Sequence, residues 1–216
     1  MKMAGRPHIV VLAGVNGAGK SSLLGHLLTD SGTDWFNPDA FAREVMNQIP
    51  GISVHDANAR AWSYGHDKLK AAIADGTSYF FETTLGGETI TRLLLHAVQT
   101  HDVMIMFCGL PSPEHHIRRV QARVTFGGHD IPVDKIQERW TTSRQNLIRL
   151  MPHLARLQVF DNGAEAEPGE DIPDPVLILH IEGTRRLYPV DLTDIARTPD
   201  WAKPLVEAAL RLSSPT

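Results

Sequence analysis

The segment Gly14-Val-Asn-Gly-Ala-Gly-Lys20-Ser21 directly follows the apolar run His8 to Ala13, and no other stretch constrains the fold as tightly. A short run rich in valine and isoleucine suits a strand buried on both faces. Glycines at 14, 17 and 19 let the backbone turn sharply, so that successive N–H groups converge on one anion. Lys20 to Leu28, with leucines at 23, 24, 27 and 28, has the spacing of a helix with one buried stripe. Strand, glycine-rich turn and helix in that order fit the pattern G-x-x-x-x-G-K-[ST], which cradles the phosphates of a nucleoside triphosphate. Gly14, Asn16, Gly17, Ala18 and Gly19 then surround the phosphates, with Ser22 in the same set. Lys20 neutralises the β and γ groups, and the Ser21 hydroxyl coordinates Mg²⁺.

The rest of the chain alternates strands with helices, which argues for an α/β fold with a mainly parallel sheet flanked by helices. Trp35-Phe36 reads as a strand running into a helix that opens at Asn37-Pro38-Asp39. A helix over 58–74 stops at Asp75-Gly76, and strands are expected at 78–82, 103–108 and 157–160. Helices are expected at 88–100 and, as a lid, at about 113–126 and 132–151. An acidic loop over 162–175 leads to a hairpin (176–181 and 186–190, joined through Gly183) and a last helix near 199–212. The expected organisation is a core over 1–162, with its lid at about 112–152, and a C-terminal extension over 163–216 packed on the same domain.

Composition excludes several classes. A formal charge of −4 gives no global attraction to nucleic acid, and 42% hydrophobic with 21% charged residues is ordinary for a globular protein. Cys108, alone in the chain, excludes an internal disulfide and sits in an apolar run, as a buried thiol does. The eleven histidines show no metal-ligand spacing; His115 and His116 are adjacent and project in different directions from a helix. No apolar run is long enough to span a bilayer. The N-terminal apolar run ends in the glycine-rich loop, so it reads as the first core strand of a cytoplasmic protein rather than a signal peptide.

Parallel sheets place ligands outside the carboxyl ends of their strands, which puts Asp39 and Glu82 at the same mouth as Lys20. One carboxylate can take a proton from a hydroxyl while the other holds substrate or magnesium water. Asp39 also reads as a helix cap, and Glu82 as a solvated strand end. On the helix near 113–126, Ile117, Val120 and Val124 form a buried stripe, and Arg119 and Arg123 share a separate flank suited to spreading phosphoryl charge. Plain surface arginines are the alternative. Arg118 is expected to face solvent. The next helix carries a core stripe of Val133, Ile136, Trp140, Leu147 and Met151, and a polar stripe of Arg139, Ser143 and Asn146 that lines a cleft or faces water. Arg144 reads as a snorkelling arginine beside the core, and His129 as a turn residue or a substrate contact.

Together the segments GVNGAGKSS, NPDAFA, FETTLGG and RVTFGGHDIPVDKIQERWTTSRQNL resemble the zeta toxin family of P-loop kinases over about residues 8–162. The resemblance implies ATP and Mg²⁺ as cofactors and transfer of a phosphoryl group to a small-molecule hydroxyl. The best-understood members use the 3′-hydroxyl of the sugar in UDP-N-acetylglucosamine, and a small antitoxin protein restrains them. It assigns Lys20 and Ser21 to the phosphates and metal, Asp39 to the base, Glu82 and Thr84 to the acceptor, and Arg119 and Arg123 to the transferred charge. Arg139 and His129 join the expected acceptor contacts. The toxin pattern E-G-T-L-R stands here as Glu82-Thr83-Thr84-Leu85-Gly86, and Asp-Gly-Asp as Asn37-Pro38-Asp39, which leaves the acceptor open. Two other readings remain: a kinase of nucleotide or polynucleotide 5′-hydroxyls, and a nucleotide-dependent binding protein with little turnover.

Overall fold

The computed structural model describes residues 5–20, 35–125, 130–164 and 173–212. Ser21, Ser22, His129, the body of the helix expected after Lys20 and the middle of the acidic loop lie outside the described residues.

Among the described residues, six strands form one sheet in the order β2-β1-β3-β4-β5-β6. They are β1 His8–Ala13, β2 Tyr79–Thr83, β3 Asp102–Gly109, β4 Arg156–Asp161, β5 Val176–Glu182 and β6 Arg185–Tyr188. The first four run parallel; β5 and β6 add antiparallel. β1 lies between β2 and β3, so the crossovers leave it in opposite directions and open a crevice at its carboxyl end. Ile9, Val11 and Ala13 of β1 are buried in the main core, and Leu12 is buried as well. Gly14 continues the ladder by donating its N–H to Thr83 O at 3.2 Å. Its φ is +143°, and a Cβ there would lie 2.2 Å from Cys108 O, so only glycine lets the chain leave β1 this close to β3.

The helices are α1 Pro38–Gln48, α2 Val54–Asp75, α3 Glu88–Ala97, α4 Pro113–Thr125, α5 Val133–Leu150, α6 Leu192–Ala196 and α7 Lys203–Leu212. α2 starts four residues before the expected helix because Ser53 Oγ accepts the Asp56 N–H and caps it. α1 and α2 pack through the small residues Ala42, Val45, Ala57 and Ala61, a cluster separate from the main core. α6 has no counterpart in the sequence reading; its cap is Asp191.

Three expectations need correction. Trp35-Phe36 is not a strand: Phe36 alone bridges to β2, exchanging hydrogen bonds with Phe80 O and Glu82 N, both at 2.9 Å. Asn37 then caps α1, and Pro38 offers no N–H to continue the ladder. Val124 and Val133 are not core. The last turn of α4 and the first of α5 line a shared open cleft, and the residues buried on α4 are His116 and Val120. Ser143 and Leu150 join Ile136 and Leu147 in the buried face of α5, while Trp140 is half-buried.

The C-terminal segment locks onto the core through Trp201. Its ring covers Gly109, where a Cβ would meet ring carbon at 2.3 Å, and its Nε1–H donates to Asp161 Oδ1 at 3.1 Å. Arg144 stacks on Trp140 with its guanidinium 3.5 Å from the ring centre and donates to Trp201 O at 3.0 Å. Arg144 therefore clamps the C-terminal segment rather than snorkelling to water. Leu205, Val206 and Ala209 of α7 complete the contact. No helix among the described residues is long and apolar enough to cross a membrane.

Replacing Trp201 by Ala should cost about 3–5 kcal/mol of stability, as for other buried large-to-small aromatic substitutions. Leu192→Ala, at a site 83% exposed, should change stability by less than about 0.5 kcal/mol. Urea midpoints compared with wild type check both; equal shifts would contradict the packing described.

Candidate functional site

Donors from three elements hold the carbonyls of the glycine-rich loop from behind. His116 Nδ1–H on α4 donates to Asn16 O at 2.9 Å. Asn162, just past β4, donates from Nδ2 to Ala18 O at 2.8 Å, and the Cys108 thiol donates to the same oxygen at 3.1 Å. The Ala18 N–H closes a turn onto Val15 O at 3.1 Å. With these carbonyls engaged by the protein, the loop presents its other edge to the cleft, as phosphate-binding loops do. Gly17 passes so close to α4 that a Cβ would lie 2.8 Å from His116 O. Burial pushes the Cys108 thiol up to about 12, so it stays a donor rather than a nucleophile. Burial likewise pulls His116 down to about 4, which keeps the ring neutral.

Lys20 and Glu82 form a buried ion pair, Nζ to Oε1 at 3.3 Å, with side chains 8% and 10% exposed. Lys20 Nζ also donates to Val15 O at 3.4 Å, and Asn37 Nδ2 donates to Glu82 Oε2 at 3.1 Å. Glu82 is thus no solvated strand end. Asn37, not Asp39, caps α1, which leaves the Asp39 carboxylate in the first turn to pair with Arg123 at 3.5 Å. Both partners are more than a third exposed, so that pair is worth little in stability. Arg123 Nε and Nη2 are buried with no hydrogen-bond partner among the described residues. Arg119 donates to Asn162 O at 2.8 Å and to Ala164 O at 3.2 Å.

Two clefts meet here. One, of about 300 Å³, runs past Gly17, Gly19, Arg43, Arg119 and Arg123. The other, of about 270 Å³, runs past Thr84, Arg139 and the aromatic residues of α2 and β2. Asn16, Lys20, Asp39 and Glu82 line both and form their junction. Of the residues singled out from sequence, Gly14, Asn16, Gly17, Ala18, Gly19 and Lys20 form the loop. Asp39, Glu82, Thr84, Arg119, Arg123 and Arg139 lie along the two clefts.

Of the polar stripe of α5, Arg139 lines the second cleft, while Ser143 and Asn146 turn onto backbone beside it. Arg139 Nη1 donates to Asn16 Oδ1 at 2.7 Å, Ser143 Oγ to Thr84 O at 2.6 Å and Asn146 Nδ2 to Leu85 O at 2.9 Å. The Ser143 and Asn146 bonds pin the turn after β2, where the buried Leu85 adopts a φ of +56°. A left-handed leucine costs on the order of 1–3 kcal/mol and persists only where its surroundings over-determine it, typically beside a functional site. Gly86 leaves the space that Arg139 fills; a Cβ at position 86 would lie 2.8 Å from Arg139 Cγ.

Asn162, His116 and Asn37 were missed as site residues. The rule that found Glu82, a polar residue at the carboxyl end of a parallel strand, also marks Asn162. His116 gave no signal beyond an unremarkable histidine pair.

The sheet order, the loop and the junction define a phosphate-loop domain of the P-loop kinase type. The AAA domain family, AAA_33, matches residues 9–150, and the chain belongs to it. A protein of Haemophilus influenzae described as uncharacterized is 28% identical over 132 residues, 61% of this chain and 91% of that protein. The crystal structure of AvrRxo1-ORF1:-ORF2 with ATP is similar at a TM-score of 0.63 and 18% identity, over 90% of this chain. The chain spans only 64% of the length of that protein. A structure from the PezAT chromosomal toxin–antitoxin system of Streptococcus pneumoniae is similar at a TM-score of 0.52 and 16% identity, over 74% of this chain and 70% of that one. At these identities the likeness is one of fold.

Because His116 stays neutral when folded, the unfolded chain binds the extra proton between about pH 6.5 and 4. The stabilisation is fully present above pH 6.5 and is lost as pH falls toward 4, by up to about 1.4 kcal/mol per unit. His116→Gln should flatten the stability–pH curve in that window relative to wild type, measured by urea unfolding. Parallel curves would refute the assignment.

Proposed function

We propose that the protein is an ATP-dependent phosphotransferase of the zeta-toxin-like type, moving the γ-phosphoryl group to a hydroxyl of a small molecule. The observation that carries this reading is the junction of the two clefts at Asn16, Lys20, Asp39 and Glu82. An ATPase needs one cleft and a water; a kinase needs a second cleft that ends where the phosphate ends.

In this reading Lys20 and the loop N–H groups hold the β and γ phosphates. The γ-phosphate draws Arg123 from its pair with Asp39, and Asp39 acts as base. As the acceptor oxygen bonds to the γ-phosphorus, its proton passes to Asp39 and the bond to the bridging oxygen breaks, releasing ADP. Arg119 and Arg123 stabilise the spread charge. Glu82 and Thr84 bear on the acceptor, and Arg139 supplies a cation beside Gly86, where the toxin pattern carries arginine. Among the described residues no three acidic, histidine or cysteine groups form a metal cage, which suits Mg²⁺ held by substrate phosphates and only one or two protein oxygens. Ser21 and one of the two carboxylates would hold that ion, whose chemistry is to neutralise the β and γ oxygens.

Residues 1–162 act as the kinase core with α4 and α5 as its lid, and 163–216 as an extension of the same domain. ATP as donor implies a cytoplasmic setting. The neighbours described above were solved as, or belong to, paired systems, AvrRxo1-ORF1:-ORF2 and the PezAT toxin–antitoxin system, which supports a small protein partner for this chain.

The test is incubation with γ-labelled ATP, Mg²⁺ and a panel of UDP-N-acetylglucosamine and other sugar nucleotides, nucleosides and 5′-hydroxyl oligonucleotides. Label should move to a small-molecule hydroxyl. Lys20→Ala should lower turnover on the order of 10³-fold, and Asp39→Asn should abolish transfer while ATP still binds. Label only in free phosphate would make the protein an ATPase, and label in no product would leave a binding role.

A further inference from the structure

The two clefts that meet at Lys20, Asp39 and Glu82 differ in charge. Counting lysine, arginine, aspartate and glutamate, the cleft that includes Arg139 is balanced: Lys20 and Arg139 stand against the two carboxylates. The cleft that includes Gly17 and Gly19 has the same two carboxylates and Lys20, but adds Arg43, Arg119 and Arg123. Its lining therefore carries a surplus of two cations. Like charges around one concavity of about 300 Å³ repel one another, and an anion among them turns that repulsion into attraction.

Arg119 and Arg123 stand on α4, whereas Arg43 comes from α1. Asp39, in the first turn of α1, reaches Arg123 at 3.5 Å, so the face of α1 that carries Asp39 looks across this cleft to α4. Arg43 follows Asp39 by four residues and shares that face. It lines the cleft of the glycine-rich loop and not the cleft of Arg139. Its guanidinium thus stands on the loop's side of the junction, one helical turn from the carboxylate assigned as base.

We propose that Arg43 is a phosphate ligand, whose guanidinium contacts the triphosphate tail of the bound nucleotide from the α1 wall of the cleft. This rests on the phosphoryl-transfer reading and adds to it a residue on the donor side. An exposed helical arginine is commonly no more than a solvated side chain. Arg60, exposed on α2 and lining neither cleft, is the control for that case.

The test is calorimetric titration of the full chain with the non-hydrolysable analogue AMP-PNP and Mg²⁺, at low and at physiological salt. Wild type is compared with Arg43→Gln, Arg43→Lys and Arg60→Gln. Arg43→Gln should weaken AMP-PNP by about 10-fold, the low end for a hydrogen bond between charged groups, because the side chain is exposed. Its affinity should also fall less steeply with added salt than that of wild type. Arg43→Lys, which keeps the charge, should recover part of the affinity and the steeper salt dependence. Arg60→Gln should match wild type, and urea midpoints should be unchanged in all three variants. Unchanged affinity and salt dependence in Arg43→Gln, an equal loss in Arg60→Gln, or a loss that tracks a lower urea midpoint would overturn the proposal. Weakened AMP-PNP binding in Arg43→Gln, with no label transfer by wild type to any alcohol, would instead count against the kinase reading alone. Wild type that binds no AMP-PNP would overturn both.

Discussion

The buried pair of Lys20 and Glu82 is the constraint on which the site depends. An ammonium this deeply buried needs a negative partner, and removing one member of such a pair costs about 3–5 kcal/mol because the other is left stranded. The parallel register sets Leu12 opposite Glu82 and Ala13 opposite Thr83, so β2 ends where the loop after β1 begins. The carboxylate therefore reaches the lysine without a long connection. Asn37, held by its own capping role on α1, supports Glu82 from the other side. The pair holds Lys20 at the junction of the two clefts.

The loop itself is positioned from behind, and the donors come from elements far apart in the chain. His116, Cys108 and Asn162 each bond a loop carbonyl, and Arg119 reaches the carbonyl of Asn162. Asp161, the residue before Asn162, accepts from Trp201. A continuous set of contacts thus runs from the C-terminal segment to the phosphate loop and Arg119. Along the second cleft, Ser143 and Asn146 of α5 hold the strained turn at Leu85, while Arg139 crosses to Asn16. A movement of α5 would disturb both clefts together.

Much of this was legible in the sequence. The loop, the parallel strands and the polar residues at their carboxyl ends follow local rules of period, glycine placement and strand polarity, and those rules located Lys20, Asp39 and Glu82. What escaped depends on partners distant in the chain. Whether Arg139, Ser143 and Asn146 faced water or a cleft could not be read from one helix, because Arg139 meets Asn16 at the cleft while Ser143 and Asn146 meet the turn at Thr84 and Leu85. His116 looked ordinary since its role is set by Asn16, 100 residues away. The Trp35-Phe36 segment had the composition of a strand, yet Pro38 and the Asn37 cap end its pairing after one bridge.

The most direct measurement is the crystal structure of the protein with AMP-PNP and Mg²⁺. The account predicts the γ-phosphate at the junction of the two clefts, with Lys20 Nζ turned from Glu82 onto phosphate oxygen and Arg123 turned from Asp39 onto the γ-phosphate. Nucleotide bound elsewhere, or bound with both ion pairs intact, would contradict it.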